Sequence, residues 1–131
     1  RIGDRTNIQD GSVLHATSPE SFGPDGFPLN IGCDVTIGHK AILHGCTIHD
    51  RVLIGMGAII MDGAVVESDI ILRGGSVVSP GKKLTSGGLY VGSPAQRMRD
   101  LRQEEIDFLL YSAKHYVKLK DLHLNSSEVL K

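Results

Sequence analysis

The sequence predicts a parallel β-helix of short strand-and-turn units followed by one C-terminal α-helix, and three observations carry that expectation. Residues 31–44 (IGCDVTIGHKAILH) replay residues 2–15 (IGDRTNIQDGSVLH) at an offset of 29, so that Ile2, Ile8, Leu14 and His15 fall on Ile31, Ile37, Leu43 and His44. The aliphatic series continues through Ile48, Ile54, Ile60, Val66, Ile71 and Val77, at a spacing of six with occasional fives. An α-helix needs apolar residues every three or four positions and a long strand every two, so this spacing fits a short strand and a turn, repeated. Small or β-branched residues (Thr6, Ser12, Val35, Ala41, Val52, Ala58, Ala64) stand two positions before most of the aliphatic ones. Three units close a prism about 18 residues around, with columns of aliphatic side chains inside. Ordinary crossover statistics favour a right-handed winding, and the spacing itself does not decide.

Each element follows in order. Gly3, Gly32, Gly38 and Gly55 come directly after the aliphatic position, which suits unusual dihedrals or close backbone approach. Residues 16–30 (ATSPESFGPDGFPLN) break the period, and Pro19, Gly23, Pro24, Gly26 and Pro28 mark a loop thrown out from a corner just after His15, placed to wall a site there. The repeat fades after Val77, with turns at Ser79-Pro80-Gly81 and Ser86-Gly87-Gly88 and an exit at Gly92-Ser93-Pro94. Ile106, Leu109, Leu110, Ala113 and Val117 then form one stripe of an amphipathic helix, with Asp100 and Gln103 as a capping box. The tail from Asn125 to Lys131 is expected to fray. The expected organisation is therefore a β-helix over 1–96 and a helical segment over 97–131 that packs on the prism or on a neighbouring subunit.

The 131 residues suffice for one core, and the formal charge of −1 gives no reason to expect nucleic acid. No apolar run approaches the roughly 18 residues needed to cross a bilayer, and no signal-peptide pattern opens the chain. Two cysteines, Cys33 and Cys46, are too few for a disulfide framework and suit a reducing cytoplasm. Cys46 reads as a small buried hydrophobe rather than a thiolate ligand. The chain opens on Arg1 and inside a repeat, as part of a longer protein would.

Repeats in register stack equivalent residues, so His15 and His44 are expected side by side, about 4.8 Å apart, where two imidazoles can share an ion. The column ends at Met61 in the following coil. His39 follows Ile37 by two and lies on the preceding face of its coil, so a second copy of the prism would have to bring it to that ion. Three copies in a ring would make identical sites, each with three neutral imidazoles and an open position, the arrangement of catalytic zinc. His49, His115 and His123 carry no such pattern.

The run Asn7-x-Gln9-Asp10-Gly11-x-x-x-His15, followed by His39-x-x-x-x-His44-Gly45, resembles the gamma-class carbonic anhydrases, and in particular their bacterial cytoplasmic relatives. The resemblance covers nearly the whole chain, including Gly92-Ser93-Pro94-Ala95 and the terminal helix. It implies a left-handed β-helix, a cytoplasmic homotrimer, reversible hydration of carbon dioxide to bicarbonate, and zinc (or iron or cobalt) held by His15 and His44 of one subunit with His39 of the next. Gln9 then matches the residue that orients the attacking oxygen, Asn7 a site asparagine, and Tyr116 a helix tyrosine near the pocket. Asp10 matches a member of an interface ion pair whose arginine partner, like a nearby aspartate, falls upstream of Arg1. Glu20 is the loop glutamate available as proton shuttle, with no motif to align it. The alternatives are a hexapeptide-repeat acyltransferase, which uses one histidine as general base without a metal triad, and a non-catalytic metal-bearing scaffold.

Overall fold

The computed structural model describes residues 1–22 and 24–126, leaving aside the side chains of Ser21 and Phe22; Gly23, which the sequence marks as a turn residue, and residues 127–131 lie outside the described residues. The chain winds as a left-handed parallel β-helix with three faces and a C-terminal helix. One face stacks β1 (Asn7–Ile8), β4 (Thr36–Ile37), β7 (Val52–Ile54), β10 (Ile70–Leu72) and β13 (Gly88–Val91), and β14 (Gln96–Asp100) closes it antiparallel. The second face holds β2 (Val13–His15), β5 (Ile42–His44), β8 (Ile59–Ile60) and β11 (Val77–Val78). The third holds β3 (Asn30–Ile31), β6 (Thr47–Ile48), β9 (Val65–Val66) and β12 (Lys83–Leu84), and Ile2 bridges to Ile31.

Ile37, Leu43, Ile48, Ile54, Ile60, Val66, Leu72, Val78 and Leu84 are all essentially inaccessible and form the inward columns. The spacing therefore stays at six from Ile48 to Leu84, and the prism runs two strands, β12 and β13, further than the fading of the pattern suggests. The expected inward positions Ile71 and Val77 are off by one. Ile71 pairs with Leu53 on the outer surface, while Leu72 continues the column of Ile54 and Ile37. Both neighbours in Ile71-Leu72 and Val77-Val78 are aliphatic, so hydropathy alone does not fix the phase. In the first coil the same columns continue through Ile8 and Leu14, which are less buried than the rest.

Gly3, Gly32, Gly38 and Gly55 serve close approach rather than unusual dihedrals. A Cβ on Gly3 would lie 2.6 Å from the Gly32 carbonyl, and one on Gly38 would lie 2.7 Å from the Met56 amide nitrogen. The left-handed turn residues are others. Arg5, Asp34, Arg51 and Asp69, at φ of 56°, 58°, 54° and 58°, mark successive turns along one edge, with Arg5 bonded to Asp34 and Arg51 to Asp69. Each guanidinium holds its partner's charge in a stack where like charges would repel.

The inserted segment is more ordered than a plain loop. It carries the single turn α1 (Pro19–Phe22), and Thr17 exchanges two backbone hydrogen bonds of 2.9 Å with Phe27. The helix α2 (Gln103–Ser126) lies against β1 and β4. It includes Asn125 and Ser126, expected to fray, while the rest of that tail is outside the described residues. Its cap is not Asp100 with Gln103. Asp100 belongs to β14 and pairs with Arg97, whereas the Glu105 carboxylate accepts the Arg102 amide at 2.9 Å and both Arg99 guanidinium arms. Leu109, Ser112 and Ala113 form the buried stripe, and Leu110 turns to solvent at 38% exposure. Among the described residues no helix is long and apolar enough to cross a membrane.

Candidate metal centre

Parallel pairing of β2 with β5 sets His15 directly against His44, with ring centroids 4.6 Å apart and planes inclined by 31°. This is the coil spacing carried out to the side chains. The next coil adds a residue that the repeat does not announce. Its turn delivers Asp62 beneath the pair, and His44 Nδ1 lies 2.8 Å from Asp62 Oδ1. Thr17 Oγ1 donates to the same oxygen at 2.8 Å. The hydrogen bond from His44, more than any other contact, holds the Asp62 carboxyl below the usual carboxylate range. An ionised carboxylate only accepts, so this contact suits a proton on His44 Nδ1 rather than a lone pair there.

Gly45 makes room for this arrangement. It stands at φ +57°, and a Cβ there would lie 2.7 Å from the Phe27 Cβ and would also strike the Asp62 carboxylate. Phe27, Asp62, Gly63, Pro80 and Gly81 line an apolar hollow of about 640 Å³ beside the corner. Cys46, two residues beyond His44, is 1% exposed, and burial pushes its thiol up to about 12. It is a core residue held protonated, not a thiolate donor.

His39 sits elsewhere. It lies exposed in the turn after β4 and lines a cleft of about 470 Å³ between that face and α2, together with Gln9, Met56, Phe108 and Tyr116. A chain of polar contacts supports the cleft floor. Gln9 Nε2 donates to Asn7 Oδ1 at 3.4 Å, Asn7 Nδ2 donates to Thr36 Oγ1 at 3.1 Å, and Thr36 meets Ser112 of α2 at 3.0 Å. Asp10 is exposed in the turn one coil from His39, where its carbonyl accepts the Lys40 amide at 3.0 Å. The structure thus brings His15 to His44, and Gln9 and Tyr116 to the cleft of His39, with Asn7 bonded behind Gln9. It does not bring His39 to the other two. Among the described residues, no three His, Cys, Asp or Glu side chains of one chain are grouped to hold an ion.

Over 125 residues the chain is 58% identical to protein YrdA of Escherichia coli, covering 95% of this chain and 68% of that protein. It is 40% identical over 126 residues to gamma carbonic anhydrase 2, mitochondrial, of Arabidopsis thaliana, covering 96% of this chain and 45% of that one. The chain belongs to the gamma carbonic anhydrase-like family. Among solved structures, a hexapeptide transferase family protein from Anaplasma phagocytophilum superposes with a TM-score of 0.76 at 39% identity, over 90% of this family member and 65% of that chain. No protein-family model matches the sequence. The chain spans less than half the length of the Arabidopsis relative.

Sequence reasoning missed Asp62, Thr17, Thr36 and Ser112. Asp62 lies 18 residues beyond His44, one coil on, and that offset was the available signal. Nothing in the pattern pointed to Thr17, which reaches the site through the inserted segment.

Proposed function

We propose that this chain is the subunit of a cytoplasmic, homotrimeric, metal-dependent carbonic anhydrase that interconverts carbon dioxide and bicarbonate at sites shared between subunits. One observation carries the reading. A stacked pair of imidazoles stands at one corner of the prism, while His39 stands apart in a cleft with Gln9 and Tyr116. A site of three histidines would then join the His15/His44 corner of one subunit to the cleft bearing His39 of the partner subunit.

The donor set suits zinc, and equally iron(II) or cobalt(II): imidazoles, one of them with its second nitrogen on a carboxylate, and no thiolate among them. Such an ion, when bound, supplies Lewis acidity and a nucleophilic oxygen from water at neutral pH. The residues of this chain do the rest. The Gln9 amide nitrogen is engaged by Asn7, which leaves Gln9 Oε1 to accept the nucleophile's proton in a hydrogen bond and fix its direction of attack. The bond from Asn7 to Thr36, and from Thr36 to Ser112, holds that amide against rotation. Tyr116 and Phe108 wall the cleft and limit the water in it. Asp10 is placed one coil from His39 to support that turn.

The transferase description of the Anaplasma relative favours a second reading, an acyltransferase that needs no metal. Zinc titration and a stopped-flow carbon dioxide hydration assay separate the possibilities. The expected result is one zinc per chain with hydration activity, both lost in His15→Ala, His39→Ala and His44→Ala. Failure to bind zinc would return the chain to the acyltransferase reading, and zinc without hydration would make it a metal-bearing scaffold.

A further inference from the structure

We propose that Thr17 and Asp62 are positioning residues that hold His44 in its Nδ1–H tautomer, so that the inserted segment 16–30 sets how tightly the His15/His44 corner grips a divalent cation. The cation rests on the reading above, but the tautomer is a property of the chain alone.

Three elements distant in sequence meet at one oxygen. Asp62 Oδ1 accepts from His44 one coil above it and from Thr17 of the inserted segment, both at 2.8 Å. Thr17 is 8% exposed and held from both sides by its backbone exchange with Phe27. Phe27 in turn packs over Gly45 and Gly63, the residues that follow His44 and Asp62. The segment is therefore latched at the corner, with its hydroxyl aimed at the carboxylate that directs the ligand. Without Thr17 the carboxylate loses one of the two donors that fix its rotamer, and the imidazole loses a rigid acceptor. Without Asp62 the His44 ring is released to the Nε2–H form that free imidazole favours, which puts a proton where Nε2 should offer its lone pair to the cation. Among the described residues His44, and not His15, is hydrogen-bonded to Asp62, so the two ligands are unlike, and the constraint falls on His44.

The test uses the full 131-residue chain and two independent readouts. Long-range ¹H–¹⁵N correlation spectra of the metal-free protein report the tautomer of each histidine. The parent is expected to show His44 protonated on Nδ1 and bare on Nε2, and Asp62→Ala to move it toward the reverse. Zinc titration of the same proteins is expected to weaken on the order of 10- to 100-fold in Asp62→Ala. Thr17→Val is expected to weaken it less, and Thr17→Ser, which keeps the hydroxyl, to stay at the parental affinity. Nε2–H on His44 in the parent would overturn the assignment, whether or not any variant folds. So would unchanged zinc affinity in both Asp62→Ala and Thr17→Val. A parent that binds no zinc would sink the metal reading and the control of affinity with it, while its spectrum still decides the tautomer.

Discussion

Gly45 shows how much a single residue can carry. Its backbone is left-handed and its missing Cβ is the space that Phe27 and Asp62 use. Gly57 has a similar φ of +70°, yet nothing stands within 4 Å of the place a Cβ would take. Gly57→Ala should therefore cost only the strain of a left-handed alanine, about 1–2 kcal/mol. Gly45→Ala should cost that much again from forced displacement, and should also weaken zinc binding through Asp62; thermal melts and zinc titration of the two variants check both halves. Gln9→Ala makes the complementary prediction. Gln9 lines the cleft of His39 and its amide is bonded to Asn7 without being a candidate ligand, so its loss should leave zinc content intact and lower turnover, and equal hydration rates in variant and parent would remove its role.

Among the elements, the columns of the prism and the capping of α2 were legible to different depths. A period of six revealed the strands because one inward side chain per face must be aliphatic, and that demand recurs in every coil. The phase slipped at Ile71 and Val77 because β10 and β11 are apolar on both surfaces. Leu72→Ala should cost about 2–5 kcal/mol as a core truncation, whereas Ile71→Ala on the outer surface should cost distinctly less; chemical denaturation of the two variants settles the phase. At α2, the sequence offered Asp100 as the cap, but β14 extends through that residue and moves the start of the helix to Gln103. Glu105 takes the role because it can accept both the Arg102 amide and the two arms of Arg99, which hold its carboxyl at about 2. A carboxylate whose pKa falls on folding stabilises the native state fully above its ordinary value of 4.5, and that contribution is lost as pH drops toward 2. Glu105→Gln should therefore melt at lower temperature than the parent at neutral pH, and the gap should close across that acidic window. A gap independent of pH would mean that Glu105 acts through packing alone.

At the scale of the molecule, the repeat explains what the sequence could and could not reveal about the site. His15 and His44 were legible because an offset of 29 maps one coil on the next and leaves equivalent residues in contact. Asp62 and Thr17 were not, because one comes from a coil whose residue at the repeat position is Met61 and the other from a segment that breaks the repeat. The same stacking makes the subunit question answerable. His39→Ala retains the His15/His44 corner, and His44→Ala retains the cleft of His39, so each variant alone should form assemblies with no complete site. Unfolded and refolded together in equal amounts, they assemble at random. A given interface then has an intact corner half the time and, independently, an intact His39 half the time. About a quarter of all interfaces are complete, and zinc content and hydration should recover to about that fraction of the parent. The recovery should follow the mixing ratio, falling as either variant comes to dominate, because the product of the two fractions is largest at equal amounts. If mixed assemblies form by native mass spectrometry yet bind no zinc at any ratio, the three histidines serve a single chain or no metal at all, and the shared site must be given up.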